Sequence, residues 1–186
     1  MIGKFADLTA LAEKLAAAVP DELVGSHLIA PIVVALLPAG SAPGIAVANR
    51  LRAPLRWVAV TEAAEGELAR SGLAVVLDDL PADLAGAAVF VVVAAVETGQ
   101  AARVIANELR ARGAGTLTLL AGVVPRDSEV SLRPLFDQIV ALVRPLGRRS
   151  AIWHFETYAP EPLATAQAAV IANRSQEAGS EGKVQP

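Results

Sequence analysis

Apolar residues in this chain gather into short unbroken runs separated by turn residues, and between the runs they recur at helical spacing. The runs Ile32–Leu37, Leu55–Val60, Leu73–Leu77, Val89–Val93, Leu117–Val123 and Gln138–Val143 predict six strands, with Val89–Val93, the most apolar, at the centre. Leu8, Leu11, Leu15 and Val19 share one helical face and predict a helix over Phe5–Val19, stopped by Pro20. A second helix is expected over Ala42–Arg52, with Pro43 in its first turn. A third spans Gln100–Arg112, with Val104, Ile105 and Leu109 inward, Glu108 and Arg112 as an outward pair, and Gly113 as its C-cap. Shorter helices are expected over Ser128–Leu135 and Pro162–Ala172, and Trp153–Tyr158 reads as a further short strand. Thr61–Ser71, with Glu62, Glu65 and Glu67, reads as a loop or a short exposed helix.

Strands alternating with helices predict an α/β fold: a doubly wound, mainly parallel sheet with helices on both faces. Such a sheet binds ligands outside the C-terminal ends of its strands, near the point where strand order reverses. The turns Ala39–Ser41 and Glu97–Ala101 both follow strands, so both are expected to open on that edge. Residues 1–172 are expected to form one domain, and the polar stretch Asn173–Pro186 a disordered tail.

Composition narrows the function classes. The 186 residues are 54% hydrophobic but only 4% aromatic, so the core must be built from Ala, Val and Leu. A formal net charge of -3, with arginines scattered rather than striped, argues against nucleic-acid binding. Cysteine is absent, and His27 and His154 lie far apart, so neither a disulfide framework nor a structural zinc is expected. Asp78-Asp79 reads as an acidic turn before Pro81 in preference to a metal-binding pair. The uncharged run Ser26–Asn49 is broken by Pro31, Pro38, Pro43, Gly40 and Gly44, and reads as strand, turn and helix rather than a membrane span. Met1–Asp7 shows no signal-peptide pattern, and the expected location is the cytoplasm.

The stretch Val89–Gly113 carries the most chemistry. An apolar strand runs into Glu97-Thr98-Gly99-Gln100 and a helix follows at once, an arrangement that aims backbone N–H groups and a helix N-terminus at one point and suits a phosphate. The plainer alternative is a strand-to-helix turn capped by Thr98 or Glu97. His27 reads as a loop or edge residue. The aromatic residues Trp153, Phe155 and Tyr158 read as satellite core, with a base-stacking platform as the alternative.

Three segments together resemble the type I phosphoribosyltransferases, and more narrowly the small bacterial phosphoribosyltransferase-domain proteins. VVALLPAGSAPGIAVANRLRAPLRWVAVTE is similar to the family's strand, pyrophosphate loop, helix and second strand. GAAVFVVVAAVETGQAAR is similar to its strand and phosphoribosyl-diphosphate loop, and FDQIVALVRP with AIWHFETY resembles the closing strand and aromatic tail. The resemblance covers about Phe5 to Tyr158. It implies that Thr98, Gly99, Gln100 and Ala101 hold a 5′-phosphate, that Ala39, Gly40 and Ser41 face a pyrophosphate, and that Glu97 stands where some members carry a general base. It also implies a homodimer, phosphoribosyl diphosphate or a nucleotide as ligand, and Mg²⁺ if the protein is catalytic.

The same resemblance exposes departures. Val93 and Ala94 replace two acids that hold the ribose, directly or through the metal, and Ala101 replaces a hydroxyl residue. Ala39 stands in a loop that commonly carries a basic residue, and Thr61-Glu62 stands where an Arg-Lys pair is usual. Two functions therefore stay open. One is transfer of phosphoribosyl from phosphoribosyl diphosphate to a nitrogenous base. The other is a catalytically impaired protein of the same fold that binds, regulates or scaffolds.

Overall fold

The computed structural model describes residues 4–24, 29–62 and 73–181. His27 and most of the acidic segment Thr61–Ser71 lie outside the described residues. Six strands form one sheet: β1 (Ile32–Leu37), β2 (Leu55–Glu62), β3 (Leu73–Val76), β4 (Ala88–Ala95), β5 (Thr116–Val123) and β6 (Gln138–Val143). Their spatial order is β3-β2-β1-β4-β5-β6. All pairings are parallel except β2 with β3, which runs antiparallel. That edge pairing lengthens β2 beyond its expected end at Val60, because Thr61 and Glu62 pair with Ala74 and Leu73.

The alternation along β4 explains the two-sided core. Val89, Val91 and Val93 face one side of the sheet, where they meet Ile105, Ala106 and Leu109 of helix α3 (Gln100–Ala111) and Leu132 of helix α4 (Arg126–Leu132). Phe90 and Val92 face the other side, beneath Leu15 of helix α1 (Leu8–Ala17), Val47 and Ala48 of helix α2 (Ser41–Leu51), and Ala166 and Val170 of helix α5 (Leu163–Glu181). Strands buried on both faces must be apolar at every position, which is why the strand signal is a continuous run. Helix α2 lies so close to β1 that a Cβ on Gly44 would stand 2.6 Å from the Ala35 Cβ.

Local chemistry sets the helix ends. Asp7 caps α1 by accepting a hydrogen bond from Ala10 N at 2.8 Å, so the helix begins at Leu8 rather than at Phe5. Arg52 ends α2 in the left-handed region at φ 52. Gly113, at φ 87, ends α3 as expected. Its N–H bonds to Arg110 O and the next N–H, Ala114, to Leu109 O, the paired bonds of a Schellman cap. The expected Glu108–Arg112 pair forms at 3.4 Å. Helix α4 starts at Arg126, directly after Pro125, two residues ahead of its expected start at Ser128.

Two expectations change. Residues Ala151–His154 form a 3₁₀ turn, and Phe155 makes a single bridge with Phe5, in place of a strand over Trp153–Tyr158. Helix α5 continues past Ala172 to Glu181, through part of the stretch expected to be disordered. A long-range contact anchors the start of the extension. Arg174 donates to Asp79 Oδ2 at 2.6 Å, and the same carboxylate oxygen accepts from Trp57 N at 2.9 Å. Asp78-Asp79 thus lies in a turn, as expected, and Asp79 ties the β2 backbone to α5. Asp79→Ala is expected to cost about 2–3 kcal/mol, because it leaves both a backbone N–H and a largely covered guanidinium without their acceptor. Urea denaturation measures the loss, and proteolysis at Arg174 should accelerate.

Candidate functional site

Strand order reverses between β1 and β4. From there the chain runs through α2 to β2 on one side and through α3 to β5 on the other, so the turns after β1 and β4 diverge and leave a crevice between them. A cleft of about 250 Å³ occupies this place. Leu36, Val60, Val93 and Ala95 form its sheet side. Val96, Glu97, Thr98, Gly99, Gln100, Ala101 and Ala102 form the turn and the start of α3. All four residues read from the sequence as a phosphate loop, and Glu97 beside them, line this one cleft.

The turn is built by Gly99, whose φ of 80 lies in the left-handed region that glycine occupies without strain. It puts Gln100, Ala101 and Ala102 at the helix start, where the first amides have no intrahelical acceptor. The Thr98 hydroxyl accepts from Gln100 N at 3.3 Å and braces the turn, whereas the N-cap is Gly99 and no side chain caps the helix there. Gly99 O in turn accepts from Arg103 N at 2.9 Å, the first helical bond. The loop rests on α4: the fully buried Ser128 donates its hydroxyl to Glu97 O at 2.7 Å, and the Leu132 side chain covers Gly99.

The Glu97 side chain has a partner that sequence reading did not anticipate. Its carboxylate accepts from Ala151 N at 2.7 Å, tying the loop to the 3₁₀ turn 54 residues downstream. Tyr158 lies in the same neighbourhood. Burial, and then the negative charge of Glu97, push its phenol above the ordinary tyrosine range.

Val93 and Ala94 point to opposite faces. Val93, 2% exposed, forms part of the cleft. Ala94, 3% exposed, packs instead with Phe5, Leu11, Val123 and Phe155, in a cluster that Tyr158 and Ala39 also join. Neither side chain offers an oxygen, so this pair does not suit a hard cation such as Mg²⁺. No group of three or more His, Asp or Glu residues among the described residues could hold a metal ion.

The Ala39–Ser41 turn lies on the opposite side of the reversal point. Gly40 N bonds to Leu36 O at 2.8 Å and Ser41 N to Pro38 O at 3.2 Å, so both amides serve the turn itself. A Cβ on Gly40 would collide with Leu36 O, which fixes glycine there. Ser41 lines a separate cleft of about 280 Å³ with Asp7, Thr9 and Thr157. Thr98–Ala101 thus line one cleft and Ser41 lines another. No helix among the described residues is long and apolar enough to cross a membrane.

Neither the protein-family models nor the curated proteins include a match to this sequence. Solved structures do match in shape. The crystal structure of TT1426 from Thermus thermophilus superposes with a TM-score of 0.71 at 18% identity, over 91% of this chain and 98% of that one. A hypothetical protein from Neisseria gonorrhoeae with bound ppGpp gives 0.59 at 14% identity, over 90% and 93%. A purine phosphoribosyltransferase from Pyrococcus horikoshii Ot3 gives 0.51 at 20% identity, over 83% and 88%. At these identities the likeness concerns architecture, and together with the strand order and the cleft at the reversal point it establishes that the chain has a type I phosphoribosyltransferase-like fold.

Proposed function

We propose that this protein binds a 5′-phosphorylated ribose compound, either a nucleotide or a phosphoribosyl ligand, in the β4–α3 cleft, and that phosphoribosyl transfer is impaired. The observation that carries the reading is the cleft itself, in which Thr98, Gly99, Gln100 and Ala101 meet at the start of α3. A phosphate there is favoured by the helix dipole and by the first-turn amides of Ala101 and Ala102. Two structural neighbours point to the same ligand class by what they are: one carries bound ppGpp, the other is a purine phosphoribosyltransferase.

The impairment follows from charge. Departure of pyrophosphate requires positive charge or a metal on the developing anion. The residues lining the cleft include one carboxylate, Glu97, and no Lys or Arg. Each missing charge-assisted hydrogen bond removes about 1.5–3 kcal/mol, and about 1.4 kcal/mol of barrier is tenfold in rate. Several such losses leave binding possible and transfer slow. In this reading Glu97 holds the loop against the Ala151 amide, and a role as base would require that hydrogen bond to open.

Calorimetry with ribose 5-phosphate, and with phosphoribosyl diphosphate plus Mg²⁺, tests both halves. Ribose 5-phosphate is expected to bind with Kd on the order of 0.1–1 mM. Ala101→Asp places a carboxylate at the helix start, where the dipole tolerates it, and should weaken binding at least about tenfold by repelling the phosphate. Absence of heat at millimolar ligand would remove the binding reading. Rapid turnover of phosphoribosyl diphosphate with adenine, guanine or hypoxanthine would remove the impairment.

A further inference from the structure

A third cleft, of about 480 Å³, lies beyond the end of β6. Its lining differs in character from the first: Lys4, Arg149 and His154 supply nitrogen groups, Pro145, Leu146, Gly147 and Trp153 complete the wall, and no carboxylate is among them. The bridge between Phe5 and Phe155, with Phe5 N bonded to His154 O at 2.8 Å, is what brings the N-terminal Lys4 against the 3₁₀ turn. The Arg149 guanidinium stands 5.9 Å from the Trp153 ring centroid, which orders both groups at the mouth. Trp153 is 59% exposed and Leu146 76% exposed, so the cleft presents an open apolar surface beside its cations. Neither Lys4 nor Arg149 forms an ion pair with any of the described residues. His154 Nε2 is buried and lacks a hydrogen-bond partner. Burial first, and then the positive fields of Arg149 and Lys4, hold the His154 imidazole below its ordinary value.

We infer that this cleft is a binding site for a phosphorylated planar ring compound of the nucleoside monophosphate class. The ring lies on Trp153 and Leu146, and the phosphate lies between Lys4 and Arg149. A phosphate supplies what the lining lacks, namely negative charge and acceptor oxygens, and a guanidinium with an ammonium is a recurrent pair for it. Stacking on an exposed indole is favourable for any base, because every base has a π-face. A cleft of this volume falls in the range that holds small ligands. The inference is independent of the reading of the β4–α3 cleft, from which this site differs in its residues and in its need for a ring.

Titration with adenosine 5′-monophosphate, followed by tryptophan fluorescence, tests it. The nucleotide is expected to quench the exposed Trp153, with the signal lost in Trp153→Ala while the emission of the buried Trp57 persists. Adenosine and ribose 5-phosphate should each act at least tenfold more weakly than the whole nucleotide. Lys4→Gln and Arg149→Gln should each raise the half-saturation concentration about fivefold to tenfold, and Arg149→Lys should restore much of the loss. Ala101→Asp, which acts on the other cleft, should leave this titration unchanged. Equal quenching by adenosine and its monophosphate would overturn the inference, as would indifference to both charge removals in folded variants. Loss of the signal in Ala101→Asp would also overturn it, by assigning the nucleotide to the β4–α3 cleft alone.

Discussion

Ala94→Asp is expected to remove a large share of the protein's stability, whereas Val93→Asp is expected to leave a folded protein. Sequence alone makes the two positions equivalent: adjacent residues at the end of one strand, both small or medium and apolar, both standing where acids are expected in the resembling family. The pleat separates them. Val93 borders the β4–α3 cleft, so a carboxylate there can reach toward water, and the cost is the lost apolar burial, about 1.5–3 kcal/mol. Ala94 faces Phe5, Leu11, Val123 and Phe155, and none of these offers a donor. The neighbouring backbone is as tightly packed, since a Cβ on Gly122 would collide with both Leu11 and Ala94 O. An unpaired carboxylate in that setting costs about 3–5 kcal/mol, a large share of the 5–15 kcal/mol typical of a domain. Urea denaturation of the two single variants makes the comparison. A loss under about 1 kcal/mol for Ala94→Asp would mean that the aromatic cluster does not cover the strand end as described. The functional consequence is that the acidic pair cannot be restored by substitution at both positions. Only Val93→Asp can be used to ask whether a carboxylate in the cleft confers Mg²⁺-dependent ligand binding.

How far the sequence could be read depended on the range of the forces involved. The central strands were legible because burial on both faces demands the continuous runs Ile32–Leu37 and Val89–Val93, whatever else surrounds them. Helix α3 was legible because its cap, Gly113, is local. The direction of β3 was not, since the run beginning at Leu73 carries no information about which way its partner lies. The end of α5 was not, because Asn173–Glu181 is polar by composition and its anchor, Asp79, lies 95 residues upstream of Arg174. The candidate site divided in the same way. Thr98-Gly99 declared itself through a strand, a tight turn and a helix in sequence. The bond from Ala151 N to the Glu97 carboxylate spans 54 residues and left no local trace. The basic cleft was hidden for the same reason: Lys4 and Arg149 meet only because Phe5 pairs with Phe155.

That pairing leads to the second large effect. Phe155→Ala is expected to destabilise the protein by about 3–5 kcal/mol, the usual cost of emptying a buried phenylalanine site. Phe155 is 2% exposed, with its ring centroid 5.4 Å from Phe5 and 5.0 Å from Tyr158. Around it the N-terminal segment is strapped down by Phe5 N to His154 O at 2.8 Å, Glu156 N to Phe5 O at 2.8 Å, and Thr157 N to Ala6 O at 2.9 Å. A cavity at Phe155 removes the apolar contact that shields these bonds from water, so the damage should be localised before it is global. Amide hydrogen exchange at Phe5, Glu156 and Thr157 should accelerate by more than at Val91 or Leu119 in the sheet, which lie in a different cluster. Phe155→Leu keeps most of the volume and should cost under about 1.5 kcal/mol. If Phe155→Ala loosens these amides without changing those of the sheet, the aromatic cluster is a separable cover over the strand ends. The β4–α3 cleft and the basic cleft would then both respond to it, one through the Ala151–Glu97 bond and the other through the position of Lys4. Uniform acceleration across all sites, or a loss no greater than that of the leucine variant, would instead make Phe155 an ordinary part of one core and uncouple it from either binding site.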